Sequence, residues 1–148
     1  MDIGFRKAEA KDIPILAQMN QALIRDEGSE NPMDLSQLNE RMQDFLAGEY
    51  RALILLCWDA VMGYCLYRPE NMRDGRYDIY VRQYYILPEY RRQGLGRRAF
   101  RILADSEFKT ARHIELDVLE SNAAGRSFWE SAGFAARYRH LRYRREGD

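Results

Sequence analysis

Apolar positions along this chain change their period several times, and each change marks an element. Residues 3–7 form a short first strand. Ile13, Leu16, Ala17, Asn20 and Ile24 then recur at helical spacing, which predicts a helix to about residue 25. Asp12 reads as its N-cap, and Pro14 falls in the first turn, where a missing N–H costs nothing. Residues 26–33 are polar and broken by Gly28 and Pro32. Asp34 with Gln37 three positions on is a capping box for a second helix. That helix carries Leu35, Leu38, Met42, Phe45 and Leu46 on one side and stops at Gly48.

Residues 52–58 and 61–68 read as an antiparallel hairpin turning at Asp59-Ala60, and residues 69–75 as a loop. A strand over 77–87 ends at Pro88, which removes a ladder donor. A third helix is predicted over 96–108, with Ala99, Phe100, Leu103 and Ala104 inward. A fifth strand follows over 113–119. The last helix covers 123–132, capped by Asn122 or Ser121 and ended by Gly133, and a sixth strand covers 134–144. The strand–helix–strand passage from 77 to 119 implies one parallel pair. The expected fold class is α/β (α+β): one domain over residues 1–148, a mixed, mostly antiparallel sheet of about six strands with one parallel pair, and four flanking helices.

The sixth strand is crowded with Arg137, Arg139, Arg142, Arg144 and Arg145. Its alternation is poor, so its faces stay unassigned. It reads as an edge strand blunted by charge, or as a subunit contact in a homodimer, or as a contact to a cofactor phosphate.

Composition narrows the classes. The 148 residues carry 23 basic and 23 acidic side chains, for zero formal net charge. That argues against general binding of nucleic acid or of an anionic membrane. No apolar run approaches the roughly 18 residues of a span, and the first residues are no signal peptide, so a cytoplasmic protein is expected. In the predicted hairpin Cys57 faces about Met62 and Cys65 faces about Ile54. The resulting offset of roughly 10 Å is too long for a disulfide, so both cysteines read as core filler. No Cys/His cluster has metal-ligand spacing, and His113 and His140 are far apart in sequence with no acidic neighbour pattern, so no metal is expected.

The stretch from 80 to 100, YVRQYYILPEYRRQGLGRRAF, concentrates the candidate chemistry. A strand leads through a turn holding Gly94 and Gly96 into a helix N-terminus, with Arg91, Arg92, Arg97 and Arg98 around it. Such an end, with its unpaired N–H groups and dipole, suits a diphosphate. An ordinary basic connection is one reading. A dinucleotide fingerprint is a second, because Gly94-Leu95-Gly96-Arg97-Arg98-Ala99 fits G-x-G-x-x-A with Glu115 and Asp117 about 20 residues on. Residues 87–93 separate the strand from the first glycine, which that fold does not allow. A P-loop is excluded, since no G-K-[ST] follows.

The third reading is a family resemblance. Arg91-Arg92-Gln93-Gly94-Leu95-Gly96 resembles the [QR]-x-x-G-x-[GA] pattern of the GNAT superfamily of acyl-CoA-dependent N-acyltransferases. It follows a strand ending Tyr85-Ile86-Leu87-Pro88-Glu89. Asn122, Gly125, Phe128-Trp129 and Gly133-Phe134 are similar to that family's second segment, N-x-x-A-x-x-F-Y-x-x-x-G-F. The likeness spans Phe5 to about Tyr143.

The resemblance implies acetyl-CoA as co-substrate, with no metal. It implies that the fourth and fifth strands splay apart and that the pantetheine arm lies between them against the backbones of Tyr84 and Ile86. The Ile86 N–H would face the thioester oxygen, an interaction worth about 3 kcal/mol in a transition state. Arg91, Arg92, Gln93, Gly94, Leu95, Gly96 and Arg97 would hold the pyrophosphate, and Asn122 and Trp129 would border the pantetheine. Two departures from the family pattern concern the proton. The usual glutamate position on the fourth strand is Tyr80 or Arg82, and the usual acidic tyrosine is Trp129, whose indole is no acid. The candidates left for handling a proton are Asp78, Tyr80, and Asp26 or Glu27, or a water chain. Trp129 itself reads as packing.

An acceptor would pass over the first two helices and the loop 26–33. With no activated Cys or Ser nucleophile in the sequence, direct transfer in a ternary complex to a small-molecule amine is expected. A protein N-terminus or lysine is the alternative acceptor, and a non-catalytic CoA-binding module is the alternative class. Period-two alternation puts Tyr80, Arg82, Tyr84 and Ile86 on one face. Arg82 there would offer a fork to a carboxylate or phosphate on the acceptor, or would pair with Glu115 or Asp117.

Overall fold

The computed structural model describes residues 1–147. Its centre is a five-stranded sheet in sequence order: β1 (Ile3–Lys7), β2 (Arg51–Cys57), β3 (Ala60–Arg73), β4 (Arg76–Ile86) and β5 (Ile114–Glu115). All neighbours are antiparallel except β4 and β5. The helices are α1 (Ile13–Glu27), α2 (Leu35–Ala47), α3 (Leu95–Asp105) and α4 (Ala123–Ser131). Two helices cover each face. Leu16, Met19 and Met42 of α1 and α2 meet Ala52, Ile54, Tyr64, Leu66 and Tyr85. Leu95, Ala99 and Leu103 of α3 meet Leu53, Leu55, Cys65, Ile79 and Val81 on the other side. β2 is therefore apolar on both faces, which is why its sequence shows a run rather than an alternation.

Local signals explain the helix starts. Asp34 Oδ1 accepts from the Gln37 N–H at 2.8 Å, and Gln37 Oε1 accepts from the Asp34 N–H at 2.9 Å, closing the capping box. Asp12 does not cap α1 as expected. Its carboxylate takes two hydrogen bonds from Arg6, at 2.8 and 2.9 Å, and one from the Glu9 N–H at 2.7 Å. It thus fixes the short turn before the helix. The charged acceptor is better satisfied by a guanidinium than by one amide.

Several boundaries differ from the sequence reading. The loop expected over 69–75 is strand: β3 runs to Arg73 and pairs with β4 as far as Arg76. Pro69 is tolerated because β2 pairs with β3 only up to Tyr67, which leaves that edge of β3 free. The first hairpin turns at Trp58-Asp59 and carries a bulge at Leu55/Leu56, so Cys65 faces Leu53 and Cys57 faces Ala60. Both thiols are buried and free.

The sixth strand is absent among the described residues. Residues 135–147 carry no regular structure and are exposed. Without alternation the segment has no apolar face to bury, and its arginines stay in water. The fifth strand shortens to two residues.

The irregularity with most consequence lies in β4. Leu66 pairs with Gln83, but Tyr67 pairs with Val81, so Arg82 is the extra residue of a bulge. Side-chain parity flips there. Ile79 and Val81 lie on the α3 face before it, and Tyr84 and Ile86 on that same face after it. The expectation that Tyr80, Arg82, Tyr84 and Ile86 share a face is thereby corrected.

Candidate active site

β4 and β5 pair only at Ile79–Ile114 and Tyr80–Glu115. From Val81 to Ile86, β4 runs on for roughly 20 Å at about 3.3 Å per residue, still paired with β3 on one edge but with no described strand on its β5 edge. A cleft opens there, bordered by Glu27, Arg82, Gln83, Tyr84, Asp117 and Trp129. The backbone on this side of β4 is available. The Leu87 N–H donates to Met62 O at 2.8 Å. Alternation therefore turns the N–H groups of Ile86 and Tyr84 away from β3 and toward the cleft.

The turn after β4 adds bare amides. Gly94 has φ +73°, a conformation that favours glycine, and open space where a Cβ would stand. The first helical bond of α3 runs from the Arg98 N–H to Gly94 O at 3.0 Å. The amides of Leu95, Gly96 and Arg97 thus precede the ladder, and no side chain caps them. Arg92 holds φ +61° in the same turn. Gly96 has a different task from Gly94: a Cβ there would meet Ile86 Cγ1 at 3.1 Å and Phe128 Cε1 at 3.3 Å. Its carbonyl accepts from Tyr84 Oη at 2.6 Å. Gly96 lets α3, α4 and β4 close on one another. Leu95 is buried beneath the turn, and Gln93 Nε2 donates to Glu89 O at 3.1 Å.

Arg91 is turned away from the amides. Its Nε donates to Ile86 O at 2.8 Å, its Nη2 donates to Asp26 Oδ2 at 2.7 Å, and its Cζ lies 5.2 Å from the Tyr85 ring centroid. It ties the end of α1 to the end of β4.

Asn122 caps α4, accepting from the Gly125 N–H at 3.0 Å. Trp129 packs against Phe128, Phe134, Tyr84 and Phe100 at centroid distances of 4.8, 5.1, 5.2 and 5.4 Å. These rings wall the α3 side of the cleft.

The proton-handling candidates separate by place. Asp78 is buried and lies beyond the parallel pair, away from the cleft. It accepts from Asn71 Nδ2 at 2.8 Å and sits 3.2 Å from His113 Nδ1 and 3.5 Å from Arg112 Nε. The Asn71 amide, then His113, hold its carboxyl below the usual range against the opposing effect of burial. Tyr80 Oη donates to Asp117 Oδ2 at 2.8 Å; burial first, and that carboxylate next, push its phenol well up. Glu27 is the last residue of α1 and reaches the cleft. Burial, and then the neighbouring Asp26 charge, raise its carboxyl above the ordinary glutamate value. It also stands at a helix C-terminus, where the dipole disfavours a negative charge.

Arg82 lies 4.9 Å from the Phe45 centroid and 5.7 Å from that of Tyr50. Of the two alternatives for Arg82, the pairing with Glu115 or Asp117 does not form among the described residues; the bulge directs Arg82 to α2 instead. Three residues beside the site escaped the sequence reading. Gln83 is buried and accepts from Tyr64 Oη at 2.8 Å, and nothing in an aromatic strand marked it. Asp117 was noticed only as the acid of a dinucleotide fingerprint and as a partner for Arg82. Arg41 sits at i+3 from Leu38 on the apolar face of α2, a place where a charge is itself a signal.

A larger depression bordered by Lys7, Glu9, Gln43, Leu46 and Arg51 lies between β1 and α2, apart from the glycine turn. Among the described residues, no group of three or more His, Cys, Asp or Glu could hold a metal ion. No described helix is long and apolar enough to cross a membrane.

The arrangement of splayed parallel pair, glycine turn and capped fourth helix has a counterpart in a known family. The GNAT acetyltransferase family model matches residues 16–134, and the chain belongs to that family. No significant match was found among curated proteins. Solved structures share the fold. A possible acetyltransferase from Clostridium difficile 630 superposes with TM-score 0.79 at 21% identity, over 96% of this chain and 97% of that one. The ribosomal-protein-alanine N-acetyltransferase of Brucella melitensis biovar Abortus 2308 gives 0.73 at 14%, over 97% and 99%. The aminoglycoside N-acetyltransferase AAC(6')-Iy, solved in complex with CoA, gives 0.72 at 13%, over 98% and 95%.

Proposed function

We propose that this protein transfers an acetyl group from acetyl-CoA to the primary amine of a small molecule, by direct attack in a ternary complex. The observation that carries the reading is the cleft where β4 leaves β5. Glu27 and Tyr84 border it, the Tyr84 and Ile86 amides lie on the β4 edge that β5 leaves unpaired, and the uncapped amides of Leu95, Gly96 and Arg97 follow in the turn after that strand. CoA in the fold neighbour AAC(6')-Iy supports the cofactor assignment. The α3 amides, with Arg92 and Arg97 beside them, fit a diphosphate. The Ile86 N–H fits an oxygen gaining charge. Asn122, at the start of α4, and Trp129, at the cleft, would border the pantetheine arm between them.

An alkylammonium, with a pKa near 10.4, must lose a proton before it attacks. Glu27 is our candidate acceptor for it, because its raised pKa brings it closer to the operating pH. The amine nitrogen then bonds to the thioester carbon and the C–S bond breaks. The CoA sulfur leaves as a thiolate, the conjugate base of a thiol that by analogy with cysteine has a pKa of about 8.5, and takes the proton that the attacking nitrogen sheds, so a strong acid beside it is not required. This accounts for Trp129 at a position where a proton donor was expected.

The Asp26–Arg91 pair fastens the end of α1, beside Glu27, to the end of β4, and a tied end there fits a small acceptor better than an extended polypeptide. Acetylation of a protein N-terminus is the second reading, drawn from the fold shared with the Brucella enzyme. Initial rates at varied acetyl-CoA and amine test the mechanism. Intersecting double-reciprocal lines are expected, and parallel lines would contradict direct transfer. Equal turnover of free amines and of peptide N-termini would contradict the acceptor class.

A further inference from the structure

Three guanidinium groups gather around Phe45 and Tyr50, where α2 meets β4. Arg41 Cζ lies 5.2 Å from the Phe45 centroid, and Arg82 Cζ lies 4.9 Å from the same ring. Arg68 Cζ lies 5.7 Å from the Tyr50 ring. Among the described residues only Arg68 has an acidic partner, Glu70 at 3.4 Å. The partners of the other two are uncharged. Arg41 Nη2 donates to Asn20 Oδ1 at 3.0 Å, and Arg82 Nη1 makes a long 3.4 Å contact with Tyr50 Oη.

Arg41 Nε is also buried with no hydrogen-bond partner among the described residues. Buried donors are normally paired, and half-buried cations normally have a counter-charge. Burial, and next the charge of Arg82, hold the Arg41 pKa below its ordinary value, so the two cations oppose each other. Two uncompensated guanidiniums and one unanswered N–H form a site that an anion completes.

Its location gives that anion a role. Arg82 is the bulged residue of β4, exposed and bordering the same cleft as Glu27 and Trp129. One cleft therefore offers a carboxylate, Glu27, for an amine and a guanidinium, Arg82, for a negative group, with Arg41 sharing the Phe45 ring with Arg82.

We infer that the acceptor is a small amine that also bears a carboxylate or phosphate, bound through that group to Arg82 with Arg41 behind it. This rests on the amine-acetylation reading above and specifies its substrate class. A polyamine, carrying only positive charge, is repelled by the same arginines.

Steady-state kinetics with 2-aminoethyl phosphate and β-alanine, against ethanolamine, n-propylamine and spermidine, test it. The anionic amines should show KM lower by about tenfold or more. Arg82→Gln should erase that difference with CoA affinity unchanged. Arg41→Gln should narrow it, and Arg41→Lys should restore part of it. A folded Arg82→Gln enzyme that keeps the parent's ranking overturns the inference, as does a preference for spermidine. Calorimetric titration of 2-aminoethyl phosphate and of β-alanine into CoA-saturated protein separates this inference from the acetyl-transfer reading. Binding that disappears in Arg82→Gln upholds the anion site even when no amine is acetylated. Binding of neither compound overturns it even when neutral amines are acetylated.

Discussion

Arg91 Nη2 stands 2.7 Å from Asp26 Oδ2, joining two residues 65 positions apart. The contact fastens the last turn of α1 to the end of β4, next to Glu27 on one side and Ile86 on the other. Both partners are substantially exposed, at 38% and 45% of the side chain, so the pair is worth under about 1 kcal/mol of stability. Its value is in position. Arg91→Gln should leave Tm and CoA affinity nearly unchanged and lower kcat by about tenfold or more, because small misplacements are expensive in a reaction barrier. Thermal melts and kinetics on one preparation check this. An unaltered kcat would show that the clamp does not position the site.

Glu27 supplies a pH prediction. A base must be deprotonated, and burial raises the pH at which that happens. The acidic limb of kcat should therefore lie above that of an ordinary exposed glutamate, and Asp26→Asn should move it down by removing the adjacent charge. Glu27→Gln should lower kcat by about 100-fold and abolish that limb. For stability the sign is opposite to that of a paired carboxylate. The folded state holds the Glu27 proton more tightly, so stability falls as pH rises through the folded pKa. Glu27→Gln should be somewhat more stable than the parent at neutral pH while less active. A fully active Glu27→Gln protein would remove Glu27 from the mechanism, and a less stable one would contradict the cost of burying its charge.

The Arg6–Asp12 fork gives the acid behaviour of the fold. Asp12 is pushed down to about 2, chiefly by the hydrogen bonds from Arg6. Its unfolded value is about 3.9, so its stabilising contribution is present above about pH 4 and is lost as pH falls toward 2. Because Arg6 is 40% exposed, that contribution is about 1 kcal/mol after solvent screening. Asp12→Asn should be less stable than the parent at pH 7 by that amount and should converge with it near pH 2. Urea melts at both values test this.

Trp129 packs within a ring of aromatic side chains. Trp129→Phe should keep most of the turnover. Trp129→Ala should cost about 3 kcal/mol and loosen the cleft wall. A well-folded Trp129→Phe protein that loses most of its rate would show that the indole N–H takes part in the reaction.

Much of this arrangement was legible beforehand because it depends on local rules. Asp34 and Gln37 announce α2, and Leu38, Met42 and Phe45 announce its buried side. The order of strand, glycine turn and helix after Tyr80 announces β4, the turn at Gly94 and α3. What stayed hidden depends on pairing and packing. A one-residue bulge at Arg82 leaves no trace in a strand whose neighbours, Val81, Tyr84 and Tyr85, are β-formers on either face. The long β3–β4 hairpin was masked by Pro69, whose cost vanishes only because β2 has already ended. The raised pKa of Glu27 arises from burial that only the assembled fold creates. Residues 134–144 contain β-formers, yet no pattern there offers a strand face to the core.

The central claim is acetyl transfer from CoA to an amine in the cleft between β4 and β5. Its most direct measurement is release of CoA thiol from acetyl-CoA, followed with and without an amine panel, together with the mass of the amine product. The account predicts thiol release that depends on the amine and equals the N-acetylated product formed, with both lost in Gly94→Val through loss of CoA binding. Tight binding of acetyl-CoA with no amine-dependent thiol release across the panel would contradict it and identify a CoA-binding module instead.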